Sequence, residues 1–218
     1  MVALARKRAQ ALGGLLAWSL ALGAVAACSH SSNNNPRSAA SIDIPIGTDT
    51  SDGSPRAASD IDLIVIHTIG GPICENDEIR YEEISGSAIE WRDWFLEQTD
   101  KSIHYIVGRD GDIAAQRPDL RTAGHVSYHG IIPNVNKRSI GIELVNNGDG
   151  IDPFSEVQLA ATEALVAELA RRYGIGADRV RTHAELDTRP IGGCNGHPRR
   201  VDPNILFPME RMQAAIRP

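Results

Sequence analysis

The β-branched run Ile61-Asp62-Leu63-Ile64-Val65-Ile66 ends on His67, and a second histidine, His183, follows another strand-like stretch more than a hundred residues downstream. Asp202 stands later still, in Arg200-Val201-Asp202-Pro203-Asn204. Two imidazoles and one carboxylate make a three-ligand shell that leaves Zn²⁺ a fourth position for water, the arrangement of a hydrolytic rather than a structural zinc site. Ligands this far apart in sequence meet only if a complete fold assembles them. That requirement constrains the chain more than any compositional figure does.

The local patterns describe such a fold. Leu63 to Ile66 is short, β-branched and followed by Gly70-Gly71-Pro72, which predicts a buried strand. Ala88 to Gln98 carries apolar Ile89, Trp91, Trp94 and Phe95 among polar residues and predicts an amphipathic helix. Ile103 to Val107 reads as a strand, and Asp110-Gly111 as a hairpin signal leading into Ile113-Ala114-Ala115. Ser139 to Val145 is another strand. The clearest helix begins at Ser155 with Glu156 and Gln158 behind it. Its apolar side includes Val157, Leu159, Leu165, Val166 and Leu169, and it stops at Gly174. Arg179 to Thr182 is a short strand placing His183 at its end, and a last helix covers Met209 to Ile216. Asn146 to Asp152 lacks the spacing and terminal glutamate of a calcium loop. The order predicts an α/β fold: one mixed-sheet domain flanked by helices.

Arg6, Lys7 and Arg8 precede the uncharged stretch Ala11 to Ala27, too short and alanine-rich for a membrane span. It closes on Val25-Ala26-Ala27-Cys28, which resembles the lipobox of bacterial lipoproteins, with an ordinary signal peptide as the alternative. The expectation is a leader over 1–27, an acylated Cys28 with a flexible Ser/Asn/Asp/Pro-rich tether over 28–59, and a catalytic domain over 60–218. Ser29 after the cysteine favours the outer membrane, facing the periplasm, as that resemblance implies. Without its leader the chain keeps 19 of its 22 basic side chains against 28 acidic ones, a balance of −9. Such a charge argues against nucleic acid, whose binding rests on Lys and Arg. Cys74 and Cys194 then remain as an even pair in an exported chain and suggest a disulfide; the competing reading makes Cys194, with His197, a metal-binding pair.

Glu143 lies between apolar Ile142 and Leu144, so strand alternation puts it on the face opposite those two. A glutamate there is costly without a partner or a pocket; a solvated face is the bland alternative. Together, Ile64-Val65-Ile66-His67, Ser139-Ile140-Gly141-Ile142-Glu143-Leu144, and His183 with Asp202-Pro203 resemble the type 2 N-acetylmuramoyl-L-alanine amidases. These are zinc enzymes of peptidoglycan related to phage T7 lysozyme and the peptidoglycan recognition proteins. The resemblance covers roughly residues 60–210, and with the lipobox it suggests a lipid-anchored member acting as a monomer on peptidoglycan or muropeptides.

The resemblance implies that His67, His183 and Asp202 hold one zinc ion and that Glu143 is the general base. It also implies a substrate-facing role for His125. Family members usually carry lysine two residues before the aspartate ligand, where this chain has Arg200. A guanidinium keeps an electrostatic role toward an oxyanion but does not readily donate a proton. Thr68 replaces a histidine found in many relatives, and the stretch between His183 and Asp202 is longer than in compact members. His104 is expected in or beside the sheet, and His129 and His30 at the surface. Two other functions compete: a non-catalytic peptidoglycan-binding module, and a cysteine peptidase using Cys194 with His183 or His197.

Overall fold

The computed structural model describes residues 42–194 and 196–217. The expected leader, Cys28, His30 and the first part of the expected tether lie outside the described residues. Strand β1 (Leu63–Thr68) is buried along its whole length. It lies between two parallel neighbours, β6 (Ser139–Leu144) and β7 (Val180–Thr182). Beyond β6 come β4 (Tyr105–Val107), also parallel, and β5 (Ile113–Ala115), its antiparallel hairpin partner. The sheet order is therefore β5-β4-β6-β1-β7. Gly111 has φ of 80° in the turn between β4 and β5, a backbone conformation that the Asp-Gly signal anticipates.

Each face of the sheet is covered, which explains why β1 reads as a continuous apolar run. Helix α1 (Ala88–Leu96) packs on one face, and the one-turn helix α2 (Val135–Arg138) precedes β6. Helix α3 (Glu156–Tyr173) packs on the other face; its Leu159, Leu165, Val166 and Leu169 meet Ile64, Ile66, Ile140, Ile142 and Leu144. Ser155 caps α3 by accepting from the Gln158 backbone N–H, and Gly174 ends it at φ 67°. Buried Gln158 donates its side-chain amide to the carbonyls of Val107 and Val145, pinning the helix to the ends of β4 and β6. Helix α4 (His183–Leu186) follows β7 directly, and α5 (Met209–Ala214) packs against α3.

Alternation then divides the side chains by face. Ile64 and Ile66 enter the α3 core, whereas Leu63 and Val65 join Val126, Val135 and Leu186 on the opposite side. His67 and Glu143 share that opposite parity, and the β1–β6 register sets them directly side by side.

Several expectations are corrected. Residues 42–59 are laid on the domain rather than forming a tether: Ile44 is buried in the main core, and Asp49 donates its N–H to the Gln116 carbonyl. Pro55 bridges to Arg121, and the Arg56 side chain donates to the carbonyls of Asp119, Lys137 and Ser139. The Arg56 side chain thus finds backbone partners, and the Asp49 carboxylate accepts from the Gln116 side-chain amide at 3.0 Å. Val157 and Ile89, expected on apolar helix faces, are exposed at 60% and 53%. The hairpin of β2 (Ile73–Glu75) and β3 (Glu78–Arg80) carries no apolar period long enough to announce it.

Cys74 on β2 is disulfide-bonded to Cys194, with Cα atoms 5.7 Å apart. The bond closes a loop with a sequence separation of 120. For a loop of that length the chain-entropy model gives up to ~4–5 kcal/mol. Reduction is expected to lower the thermal midpoint, read by calorimetry with and without reductant; an unchanged midpoint would show that the bond constrains nothing. With its sulfur so engaged, Cys194 is neither a metal ligand nor a nucleophile here, and His197 hydrogen-bonds instead to the Pro198 carbonyl at 2.9 Å.

Candidate metal centre

Three elements bring the donor atoms together. His67 arrives at the carboxyl end of β1. Thr182 ends β7 as the N-cap of α4, with Glu185 closing a capping box, so His183 is the first helical residue rather than the last of the strand. The Ala184 N–H donates to the Asp202 carbonyl at 2.9 Å, which ties the Asp202 segment to the start of that helix. All three residues are buried.

The His67 and His183 Nδ1 atoms are 2.9 Å apart, and the Asp202 carboxylate oxygen lies 2.9 Å from His183 Nδ1 and 3.4 Å from His67 Nδ1. Three lone-pair donors thus converge on one point away from water. A single ring hydrogen can join only part of such a set, whereas a cation satisfies all three. Two imidazole nitrogens and one carboxylate oxygen suit Zn²⁺, and the residues present fit that ion.

The centre opens into a cleft of about 520 Å³. Glu143, Arg200, His125 and Lys101 line it together with an apolar wall of Ile84, Trp91, Trp94 and Phe95. One Glu143 carboxylate oxygen and the Arg200 Nε are buried with no hydrogen-bond partner among the described residues. Lys101 sits over the Trp94 ring, 5.2 Å from its centroid. His125 reaches the cleft, but its two ring nitrogens lie 2.9 Å from His67 Nε2 and 2.9 Å from Ser139 Oγ. His104 is fully buried in the sheet, where its Nδ1 accepts the Gly141 N–H, and His129 is exposed. Sequence reasoning missed Trp91, Trp94 and Lys101 as cleft residues; a bulky aromatic pair on a helix reads equally well as core.

Burial, followed by the neighbouring His183, holds His67 down to about 4. Burial, with Arg56 next, holds His104 at about 3, and His125 is likewise driven well below 6.5 by burial and then His67. Burial works to raise Asp202, but His183 and His67 more than offset it and leave the carboxyl well below its usual range. Burial, then Asp202, pushes Glu143 up to about 8, although Arg200 and Lys101 pull it back.

These values set the pH response of metal-free protein. The depressed histidines stay neutral in the fold while the unfolded chain takes up protons below 6.5, so stability falls on acidification from 6.5 toward 4. Glu143 acts oppositely: its contribution is present below 4.5 and is lost as pH rises toward 8. With three protons favouring one direction and one the other, stability should peak near pH 6.5. It should drop by ~2–3 kcal/mol per pH unit at its steepest on the acid side. Denaturant unfolding in chelator across pH 4 to 8 measures this; a flat profile would refute it.

A family model described as N-acetylmuramoyl-L-alanine amidase matches residues 57–204. The N-acetylmuramoyl-L-alanine amidase CwlL of Bacillus licheniformis is 29% identical over 117 residues, which are 47% of this chain and 31% of that protein. This chain therefore spans about a third of that relative's length. Among solved structures, the N-acetylmuramyl-L-alanine amidase AmiD from E. coli, in complex with anhydro-N-acetylmuramic acid-L-Ala-D-gamma-Glu-L-Lys, superposes with a TM-score of 0.54. It is 24% identical, over 77% of this chain and 62% of that one. AmpD superposes with a TM-score of 0.55 at 20% identity, over 81% of this chain and 100% of its own. At these identities the superpositions show a common fold: a mixed sheet flanked by helices.

Proposed function

We propose, since the chain belongs to the type 2 N-acetylmuramoyl-L-alanine amidase family, that it hydrolyses the amide joining the muramic acid lactyl group to L-Ala in peptidoglycan stem peptides. The observation that carries this reading is the pairing of His67 with Glu143 across β1 and β6. It sets a carboxylate oxygen without a partner among the described residues beside three converged groups that could hold a metal ion. Zinc held by His67, His183 and Asp202 would polarise the scissile carbonyl and lower the pKa of a water toward neutrality.

The chain's own groups do the rest. Glu143, in its ionised form, takes a proton from the water that adds to the lactyl carbonyl. Arg200 stabilises the oxyanion that develops on that carbonyl. The carbon–nitrogen bond then breaks, and Glu143 returns the proton to the departing L-Ala amine. Trp91 and Trp94 give one side of the cleft an apolar surface, and Lys101 offers a cation for a substrate carboxylate.

Mass spectrometry of a defined muropeptide incubated with the zinc-loaded protein tests this reading. The expected products are a free lactyl carboxylate and a stem peptide with a free L-Ala amine. Stoichiometric binding without cleavage would instead leave a non-catalytic binding module. We further propose that Cys28 carries the lipid that holds the domain at the outer membrane, a reading supported by Val25-Ala26-Ala27-Cys28 for the lipid and by Ser29 for the outer membrane. Cys28→Ala should then move the protein from membrane to soluble fractions; a wild-type protein already soluble and free of lipid would end the idea.

A further inference from the structure

We propose that His125 and Ser139 are positioning residues: a relay that starts at the Val135 carbonyl and fixes which nitrogen of His67 faces the metal centre. The direction of each bond follows from the one before it. A carbonyl only accepts, so the Ser139 hydroxyl, 2.7 Å from Val135 O, donates its single hydrogen there. Ser139 Oγ can then meet His125 Nε2, at 2.9 Å, only as an acceptor, which places the ring hydrogen of His125 on Nε2. The other nitrogen of a neutral imidazole is a lone pair. His125 Nδ1 therefore accepts from His67 Nε2, 2.9 Å away, and His67 carries its hydrogen there. What remains on His67 is a bare Nδ1, aimed at His183 and Asp202.

The fold makes room for this relay. A Cβ on Gly141 would stand 2.8 Å from His125 Cγ and 2.9 Å from its Cδ2, so the missing side chain is the slot in which the ring lies. Ser139 is fully buried, so its hydroxyl lies away from bulk solvent. The relay serves one ligand: His183 Nε2 is buried without a partner among the described residues, and that ring is placed by the capped start of α4. Both nitrogens of His125 are thereby spent on protein groups, which leaves only its carbon edge for substrate.

This inference rests on the metal reading of the centre, and two readouts separate them. The first is the His67 tautomer in metal-free protein, read by long-range ¹H–¹⁵N NMR; the Nε2–H form is expected. The second is zinc affinity by chelator competition. His125→Phe keeps a ring but removes both nitrogens, and it should weaken zinc binding by about 10–100-fold, the usual cost of losing such a support. Ser139→Ala should act in the same direction with a smaller effect and shift His67 toward a mixed tautomer population. An Nδ1–H tautomer in the wild type overturns the relay, as does unchanged zinc affinity in a His125→Phe protein that melts normally. If His125→Phe does not fold, the tautomer in Ser139→Ala decides. A wild type that shows the Nε2–H form yet takes up no zinc upholds the relay and overturns the metal reading.

Discussion

Glu143→Gln is expected to keep the fold and the zinc while lowering turnover by about 10²–10⁴-fold, the usual contribution of a positioned acid–base group. The amide has nearly the same shape as the carboxyl, so the β1–β6 register and the cleft wall have no reason to move. What disappears is the ability to take a proton from water and return it to an amine. Burial and the nearby Asp202 push Glu143 up to about 8, which means that the neutral form is already well tolerated in metal-free protein. The variant should therefore match the parent below pH 4.5 and gain on it as pH rises toward 8, because there the parent releases this proton more readily unfolded than folded. Steady-state kinetics with a defined muropeptide, alongside zinc analysis, makes the comparison. Near-normal turnover would reduce Glu143 to a structural residue.

His183→Ala should have the largest effect of any single change: loss of bound zinc and, with it, of activity down to background. The residue is 2% exposed, and its Nδ1 sits between the other two donors, 2.9 Å from each. Its removal leaves one imidazole and one carboxylate, too few to hold the ion in a hydrolytic site. His67→Ala should behave alike. In both variants the buried Asp202 carboxylate loses part of the hydrogen bonding that offsets its desolvation, so stability falls as well. Elemental analysis after gel filtration tests the point directly. Full zinc occupancy in either variant would remove that residue from the shell.

Some of this was legible from local pattern. The β-branched run before His67, the Asp-Gly turn, the Ser155 cap and the Gly174 stop each act within a few residues, and each marks its element close to where the structure has it. Even the face occupied by Glu143 follows from a period of two. The type of fold and the candidate donors can be read at that level, because propensity, capping and alternation are short-range effects.

Other features were decided only by tertiary structure. Nothing local says that β1 pairs with β6 so that His67 meets Glu143, since register depends on the whole sheet. Polar residues 42–59 read as a tether because their partners, such as Gln116 and Ser139, lie far away in sequence. Val157 and Ile89 show the reverse case, apolar residues on helical period left facing solvent. The His67–His125–Ser139 chain joins residues on three separate segments, and its slot exists because Gly141 lacks a side chain that no sequence period required to be absent. The sequence alone determined which groups could do chemistry; long-range packing decided which of them touch, because contact between distant segments is a property of the assembled sheet.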